Sequence, residues 1–181
     1  MDLRRGRRGR VSSAIAESQR VSGMNDAVLL LGSNIGRRVR NLRDAVERLS
    51  ADTEVLRVSR LYAGEPHGRV HQPWFLNQAV RVATRLSPEE LLLLAKRLEQ
   101  GAGRRGGGRW GPRTLDVDII LYGEAVVSRP HLAIPHPAMA GRRFCLLPVA
   151  EVTPDAIVPP GGRTVSELLA TCNDTDEVIA I

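Results

Sequence analysis

The amino-acid sequence predicts an α+β fold in which an antiparallel β-sheet is packed against helices. Four segments have the apolar or alternating character of strands, and two segments between them repeat apolar residues every three to four positions, as a helix does. In chain order these elements are βαββαβ, the split βαβ arrangement of ferredoxin-like folds. Beyond residue 123 the sequence predicts a C-terminal extension of short helices and loops. The predicted strands are residues 27–31, 54–62, 75–84 and 115–122.

The first strand is a run of five apolar residues, 27–31, and it is followed by the turn residues Gly32, Ser33 and Asn34. Apolar residues then recur at helical spacing up to Leu49, which predicts the first helix. Strands 54–62 and 75–84 come next. The loop between them, residues 63–73, is long for a compact domain, and we expect it to contact the substrate.

The second helix has clear start and stop signals. Ser87 is placed as the N-cap, Pro88 as the first helical residue and Glu90 as the glutamate of a capping box, while Gly101 and Gly103 end the helix. The strand at 115–122 alternates in polarity, so its odd-numbered residues from 115 to 121 are expected on one buried face. A hairpin, a Pro-His loop, a helix at 142–152 and a helix at 164–169 follow.

The 181 residues include 26 Lys and Arg against 20 Asp and Glu, but six of these bases lie in residues 1–24 with only two acids. This segment is expected to be a disordered arm, or to precede the true start at Met24, with a single domain at 25–181. The remaining chain is nearly neutral, so no nucleic-acid partner is expected. It has no apolar run that could span a membrane, no secretory signal and only two cysteines. A cytoplasmic protein, expected to be a monomer, is predicted.

Asp116 and Asp118 stand two residues apart on the last predicted strand, so both side chains leave the same face of the sheet. Two close carboxylates repel each other unless a cation lies between them, and hard oxygen ligands suit Mg²⁺. Alternating acids on a solvated strand face produce the same pattern. The pair alone therefore leaves both interpretations open.

The segment before these acids is rich in arginine and glycine. Arg104, Arg105 and Arg109 precede the run from Trp110 to Thr114, which leads directly into the strand. Arginine binds phosphate oxygens with a planar fork of donors, and a tryptophan can cover a planar ring. A glycine-rich surface loop with solvated arginines explains the same residues, so this alternative also stays open.

Five segments together carry a resemblance to a known family. They are Leu31-Gly32-Ser33-Asn34, residues 62–68, Gln72 to Asn77, Trp110 to Asp118, and Ile134-Pro135-His136 followed by Arg142. In this order and spacing they resemble the 6-hydroxymethyl-7,8-dihydropterin pyrophosphokinases of folate biosynthesis, over about residues 27–170. The Trp-Gly-Pro-Arg-Thr-Leu-Asp-x-Asp run is the most specific of the five.

The resemblance implies transfer of the β,γ-diphosphate of ATP to the hydroxymethyl oxygen of the reduced pterin, with release of AMP. It implies that Asp116 and Asp118 hold two Mg²⁺ ions and that Arg104 and Arg113 are catalytic, with the two aspartates. The implied ATP contacts are Glu99, Arg105, Trp110, Arg113, Ile119, Leu132, His136 and Arg142. The implied pterin contacts are Gly64, Pro66, Phe75, Asn77, Trp110 and Phe144.

Two alternatives belong to other classes of protein. The same βαββαβ order occurs in RNA-binding RRM domains, but the strands carry no aromatic RNP1-like motif. A catalytically idle relative that binds pterin or nucleotide would lack the reactive groups. The presence of Asp116, Asp118, Arg104 and Arg113 favours an active enzyme.

Overall fold

The computed structural model describes residues 23–66, 72–103 and 111–181. Apart from its last two residues, the predicted arm of residues 1–24 lies outside this part of the chain. The strands are β1 (Asn25–Ser33), β2 (Glu54–Val58), β3 (Tyr62–Gly64), β4 (Phe75–Thr84), β5 (Asp116–Tyr122), β6 (Val127–Arg129), β7 (Leu132–Ile134), β8 (Ile157–Val158), β9 (Arg163–Thr164) and β10 (Val178–Ala180). The helices are α1 (Arg38–Leu49), α2 (Pro88–Gly101), α3 (Arg143–Val152) and α4 (Val165–Ala170), with a 3₁₀ turn at Met139–Gly141.

The main sheet is antiparallel, and the described strands run in the order β10, β3, β4, β1, β5, with β2 also paired to β4. The predicted α+β class, an antiparallel sheet packed against helices, is confirmed. β1 lies in the middle and is buried from Ala27 to Ser33. Its unbroken apolar run fits this position, because a strand covered on both faces needs no polar side chain on either. β6 with β7, and β8 with β9, form two separate hairpins.

The sheet is covered on both faces by apolar side chains. One core cluster joins alternate residues of the sheet to α1 and α2, and it includes Leu29, Leu42 and Leu91. The other cluster lies on the opposite face, where Leu30 and Ile120 pack against Leu146 of α3. The predicted capping box of α2 is present, since the Ser87 hydroxyl accepts from the Glu90 amide and the Glu90 carboxylate accepts from the Ser87 amide. Both cysteines are free thiols.

The prediction of one strand over residues 54–62, followed by a loop from Ala63, is wrong. β2 ends at Val58 and β3 begins at Tyr62. The three residues between them, 59–61, oppose only two on β4, because Val58 pairs with Val80 and Tyr62 with Asn77. The Ser59 side chain accepts a hydrogen bond from the Ala79 amide at 2.9 Å inside the irregularity. This extra residue kinks the chain without ending its pairing with β4.

The prediction that Leu121 shares a face with Val117 and Ile119 is also wrong. The register against β1 shifts by one residue between Val28 and Leu29, so that Ile120 forms a bulge. Beyond the bulge Leu121 packs in the cluster on the α3 side and Tyr122 in the cluster on the α1 and α2 side. Asp116 and Asp118 precede the bulge and keep the predicted common face.

The described part of the chain contains no helix that is both long and apolar enough to cross a membrane.

Candidate active site

One row of residues crosses the sheet on the face covered by α3. Tyr62, Asn77, Gly32 and Asp116 are direct partners on β3, β4, β1 and β5. In antiparallel strands, directly paired residues project to the same face, so these four positions form one line of neighbouring side chains. Asp118 lies two residues further along β5, opposite Leu30, and its side chain projects to the same face as that of Asp116. An amide and two carboxylates therefore share one surface.

Gly32 is the gap in this row. A Cβ atom at this position would lie 3.2 Å from Asn77 Oδ1, 3.6 Å from Phe75 Cδ1 and 3.8 Å from the Asp116 Cβ. The missing side chain leaves a hollow between the amide and the carboxylate, and Gly32 lines the cleft that opens there. Gly32 was predicted to be a turn residue within one of the motif segments, with no role in binding, but it lies within β1.

Filling this hollow gives a direct test. We expect Gly32→Ala to weaken binding of a ring that lies against Asn77 by about 10- to 100-fold, because the added methyl group displaces the amide or takes the space itself. Isothermal titration with the reduced pterin that the sequence resemblance implies measures this affinity. Gly161→Ala is the matched control, since its Cβ would meet only the Val158 carbonyl oxygen, at 3.9 Å. Equal affinities of both variants and the wild-type protein would contradict this role of Gly32.

Arg113 reaches the acidic pair from the loop before β5. Its Nη1 lies 2.5 Å from Asp116 Oδ2, and each side chain retains about a fifth to a quarter of its exposure. Asp116, Asp118 and Arg113 all line the cleft. One guanidinium and two carboxylates therefore line the same cleft, where an anion and a cation can bind side by side.

The pKa of Asp118 is raised to about 7. Burial of the carboxylate is the main cause, and the neighbouring charge of Asp116 raises the pKa further. Lys96 and Arg113 act in the opposite direction, and Glu99 adds to the increase. A divalent cation bound here would lower the electrostatic cost of ionising Asp118, because its positive charge offsets the effects of burial and of the Asp116 charge.

The raised pKa predicts a stability difference with a definite sign. In the unfolded chain the Asp118 carboxyl has its ordinary pKa of 3.8, so the folded state holds its proton to higher pH. The ionisation of Asp118 therefore lowers the free energy of unfolding of the metal-free protein progressively as the pH rises from about 4 to 7, and the loss is complete above that range. We expect Asp118→Asn to stabilise it at pH 8 by on the order of 1–3 kcal/mol, with a smaller gain at pH 4.5.

Thermal melts in EDTA measure this difference, with Asp155→Asn as a control at an exposed carboxylate. A stabilisation by Asp118→Asn that stays constant from pH 4.5 to 8, or a loss of stability at pH 8, would contradict the assigned cause.

Two buried polar residues, Ser33 and Asn34, and the half-buried Asn41 fix the loop that carries Arg113. Asn34 Oδ1 accepts from the Arg113 amide at 2.6 Å, while the Asn34 amide donates to the Arg113 carbonyl at 3.0 Å. The Ser33 hydroxyl and the Asn41 side-chain amide both donate to the Thr114 carbonyl, at 2.6 and 3.0 Å. These contacts hold the backbone of the loop independently of the Arg113 side chain.

The opposite wall comes from α3 and the segment before it. Phe144 lies in the first turn of α3 and lines the cleft together with Phe75 from β4. The Arg142 guanidinium lies over the Phe144 ring, 6.0 Å from its centre. Two aromatic rings and an amide, Asn77, thus face the same space, which suits a flat heterocycle with polar edges.

His136 lies beside the cleft and is half-buried. Burial lowers the pKa of His136, and Arg142 lowers it too, while Asp116 opposes them. Nδ1 accepts a hydrogen bond from the Ala138 amide at 3.3 Å, so the neutral ring carries its proton on Nε2. It can therefore donate a hydrogen bond to an oxygen without adding a charge.

The structure brings most of the predicted residues together. Pro66, Phe75, Asn77, Arg113, Asp116, Asp118, Arg142 and Phe144 line one cleft. Gly64 lies just behind it, where a Cβ would approach the Phe144 Cβ to 3.4 Å and the Asn77 Nδ2 to 3.7 Å. Arg104, Arg105 and Trp110 lie outside the described residues.

Three of the predicted ATP contacts have their side chains elsewhere. Ile119 and Leu132 are buried in the core cluster on the α1 and α2 side of the sheet. Glu99 is buried in α2, where its carboxylate accepts from the Val117 amide at 3.0 Å and pairs with Lys96 Nζ at 3.0 Å. Glu99 thus holds the backbone of the residue between the two aspartates.

Besides Gly32, four residues line the cleft that were not predicted from the sequence. They are Leu30, Glu65, Gln72 and Gly111. Glu65, Gln72 and Gly111 fall inside the motif segments, and this membership was the signal that could have found them. Leu30 carried no signal, because only the sheet register brings it to the cleft.

The donor set fits Mg²⁺ with oxygen ligands from a bound polyphosphate. Within residues 23–66, 72–103 and 111–181, no group of three or more His, Cys, Asp or Glu side chains is arranged to hold a metal ion. The two carboxylates on β5 could serve as protein ligands of such an ion, because Mg²⁺ commonly takes its other ligands from phosphate and water.

An acidic pair, an arginine and two aromatic rings at one cleft fit the class of enzymes that transfer a phosphate-containing group to a planar substrate. The comparisons with known proteins agree with this class. Residues 28–154 match the model of the 7,8-dihydro-6-hydroxymethylpterin-pyrophosphokinase (HPPK) family. The chain belongs to this family.

Two relatives are named 2-amino-4-hydroxy-6-hydroxymethyldihydropteridine pyrophosphokinase. The protein of Methylorubrum extorquens is 43% identical over 81% of this chain and 93% of its own length. That of Pseudomonas aeruginosa is 42% identical over 78% of this chain and 88% of its own length. A crystal structure of Plasmodium falciparum HPPK-DHPS, a triple mutant, has a TM-score of 0.66 and 17% identity, and covers 84% of this chain and 45% of its own. This last likeness shows the fold. None of these findings favours an RNA-binding module or an idle relative.

Proposed function

We propose that the protein transfers the β,γ-diphosphate of ATP to the hydroxymethyl oxygen of 6-hydroxymethyl-7,8-dihydropterin and releases AMP, as a step of folate biosynthesis. The printed names of the relatives and the matched family support this activity. The single observation that carries it is the cleft itself, where Asp116, Asp118 and Arg113 face the aromatic pair and Asn77. The fold we propose is ferredoxin-like with a C-terminal extension, supported by the order β5, β1, β4, β2/β3.

Asp116 and Asp118 would hold two Mg²⁺ ions together with the ATP phosphates. The metal supplies charge neutralisation and alignment of the transferred phosphate when it is bound. The two carboxylates project from one rigid strand, and Glu99 fixes the strand backbone between them through the Val117 amide. Their spacing is thus set by the sheet, which favours a fixed geometry over a mobile one.

Arg113 would stabilise the negative charge of the transferred diphosphate, with Arg104 as a second catalytic arginine. Its contact with Asp116 keeps the guanidinium at the acidic pair before ATP arrives. Arg142 and His136 would contact the ATP phosphates, as a cation and as a neutral donor. Arg105 and Trp110 are proposed to contact ATP as well, and Trp110 also the pterin. For Glu99, Ile119 and Leu132, a contact with ATP stays a prediction, and their buried positions leave mainly backbone groups to make it.

The pterin would lie between Phe75 and Phe144, with its polar edge toward Asn77. The Asn77 amide lies between Gly32, on its Oδ1 side, and Gly64, on its Nδ2 side. An amide in this position can both donate to and accept from the ring, which distinguishes the pterin from a plain aromatic ring. Gly64 and Pro66 would bound the pocket through their backbones. The cytoplasmic location, the monomeric state and the single domain at 25–181 stay predictions.

Chromatography of the nucleotides after reaction with ATP, Mg²⁺ and the pterin tests the activity. We expect AMP to form only when the pterin is present, in equal amount to a pterin that carries two phosphates. ADP as the product would contradict diphosphate transfer, and binding of both substrates without turnover would point to an idle relative.

A further inference from the structure

The last residues of the chain contact the pterin side of the cleft from outside. β10 pairs with β3, with Val178 opposite Gly64 and Ala180 opposite Tyr62. The pairing continues at both ends of β3, where the Glu65 amide donates to the Glu177 carbonyl at 3.2 Å and the Ile181 amide donates to the Leu61 carbonyl at 2.8 Å. β3 and the start of the loop after it are therefore held from two sides, by β4 and by β10.

Asp174 lies just before this strand and completes the start of α3. The N-cap residue of α3, Arg142, gives no side-chain cap to the helix. Instead the Arg143 amide donates to Asp174 Oδ2 at 2.8 Å, across 31 residues of sequence. The Asp176 amide donates to Asp174 Oδ1 at 3.1 Å. One carboxylate thus supplies the missing cap of α3 and orders the chain that enters β10.

The groups held by these contacts are close neighbours on one side of the cleft. Arg143 lies between Arg142 and Phe144, so its amide fixes the turn that carries both side chains. A Cβ at Gly64 would lie 3.4 Å from the Phe144 Cβ and 3.7 Å from Val178 Cγ2. The first turn of α3, Gly64 just behind the cleft and β10 therefore lie next to one another.

We propose that Asp174 is a positioning residue for the pterin, and that residues 174–181 act as a strap that fixes Phe144 relative to Gly64 and Pro66. The proposal rests on the proposed function. Asp174 is not among the described residues that line the cleft, and it acts through the Arg143 amide. Loss of the Asp174 carboxylate removes a contact that holds both the first turn of α3 and the chain that pairs with β3. The distance between the Phe75 and Phe144 rings is then no longer fixed.

Pterin affinity in the presence of Mg²⁺ and a non-hydrolysable ATP analogue tests this role. We expect Asp174→Ala to raise the pterin Kd and KM about five- to tenfold. The Kd of the ATP analogue should rise by a smaller factor, because Arg142 is only one of several proposed ATP contacts. Asp174→Asn keeps an oxygen acceptor for the Arg143 amide and should restore most of the affinity. Asp155→Ala, at an exposed carboxylate after α3, is the matched control.

Hydrogen exchange of the free protein separates positioning from mere stabilisation. We expect the Asp174→Ala variant to exchange faster in residues 62–66 and 143–146 while the central strands β1, β4 and β5 remain protected. A lower melting temperature with an unchanged pterin Kd would overturn the proposal, as would equal losses of affinity in the Ala and Asn variants. Should Asp174→Ala not fold, removal of residues 178–181 tests the strand half of the strap, with the same expected rise in the pterin Kd. If the wild-type protein does not bind the pterin, the proposed function is wrong. If the wild-type protein binds the pterin and the Asp174→Ala variant binds it equally well, only the role of Asp174 is wrong.

Discussion

Replacement of either carboxylate of the acidic pair is expected to reduce kcat by about 10³-fold or more, because positioned charges and metal ions provide most of the rate in phosphoryl transfer. Asp118→Asn is the most informative change, since it keeps the size of the side chain and removes only the charge. The same variant is expected to stabilise the metal-free protein, as the raised pKa of Asp118 indicates. Loss of activity together with a gain in stability separates a functional carboxylate from a structural one.

Steady-state kinetics over a range of Mg²⁺ concentrations measure this effect for Asp116→Asn and Asp118→Asn. We expect additional Mg²⁺ not to restore the rate, and Asp155→Asn to behave as the wild-type protein. An Asp118→Asn enzyme with kcat within about tenfold of wild type would exclude a role of this carboxylate in metal binding.

Replacement of Arg113 by alanine is expected to lower kcat by about 10²- to 10³-fold, the usual cost of losing one group that stabilises charge in a transition state. The loop should keep its position, because the hydrogen bonds between Asn34 and Arg113 use the Arg113 backbone. The pterin KM should therefore change little, while kcat falls. Arg113→Lys should restore only part of the rate, since an ammonium lacks the planar fork of donors.

The matched control for Arg113 is Arg40→Ala, which removes an exposed arginine of α1 that is paired with Asp44 at 3.5 Å. Kinetics with both substrates varied separate kcat from the two KM values. If Arg113→Ala raised the pterin KM and left kcat unchanged, Arg113 would be a binding residue and its proposed role in catalysis would be wrong.

The sequence was sufficient to predict the fold class and the acidic pair because both depend on local patterns. The capping box at Ser87 and the apolar run of β1 involve residues close in sequence, and an alternating strand places Asp116 and Asp118 on one face whatever surrounds it. The bulge at Ile120 left no such signal, since one additional residue in a strand changes the pairing but not the composition.

The parts of the site that sequence analysis missed depend on contacts between distant segments. Gly32 looked like the start of a turn, and only its pairing with Asn77 and Asp116 makes it the hollow of the cleft. Asn34 and Arg113 meet across 79 residues, and Asp174 caps a helix that begins 31 residues earlier. Ile119 and Leu132 were assigned to ATP by resemblance, whereas the sheet directs their side chains into the core.

The central claim is that the β,γ-diphosphate moves as one unit to the pterin oxygen, and the position of an isotope in the product tests it. ATP labelled with ¹⁸O on the three terminal γ-oxygens is allowed to react, and the pterin diphosphate is examined by ³¹P NMR. Direct transfer predicts the isotope shift on the terminal phosphorus of the product, because the β-phosphorus forms the new bond to the pterin. A shift on the inner phosphorus would mean two successive monophosphate transfers and would contradict the mechanism.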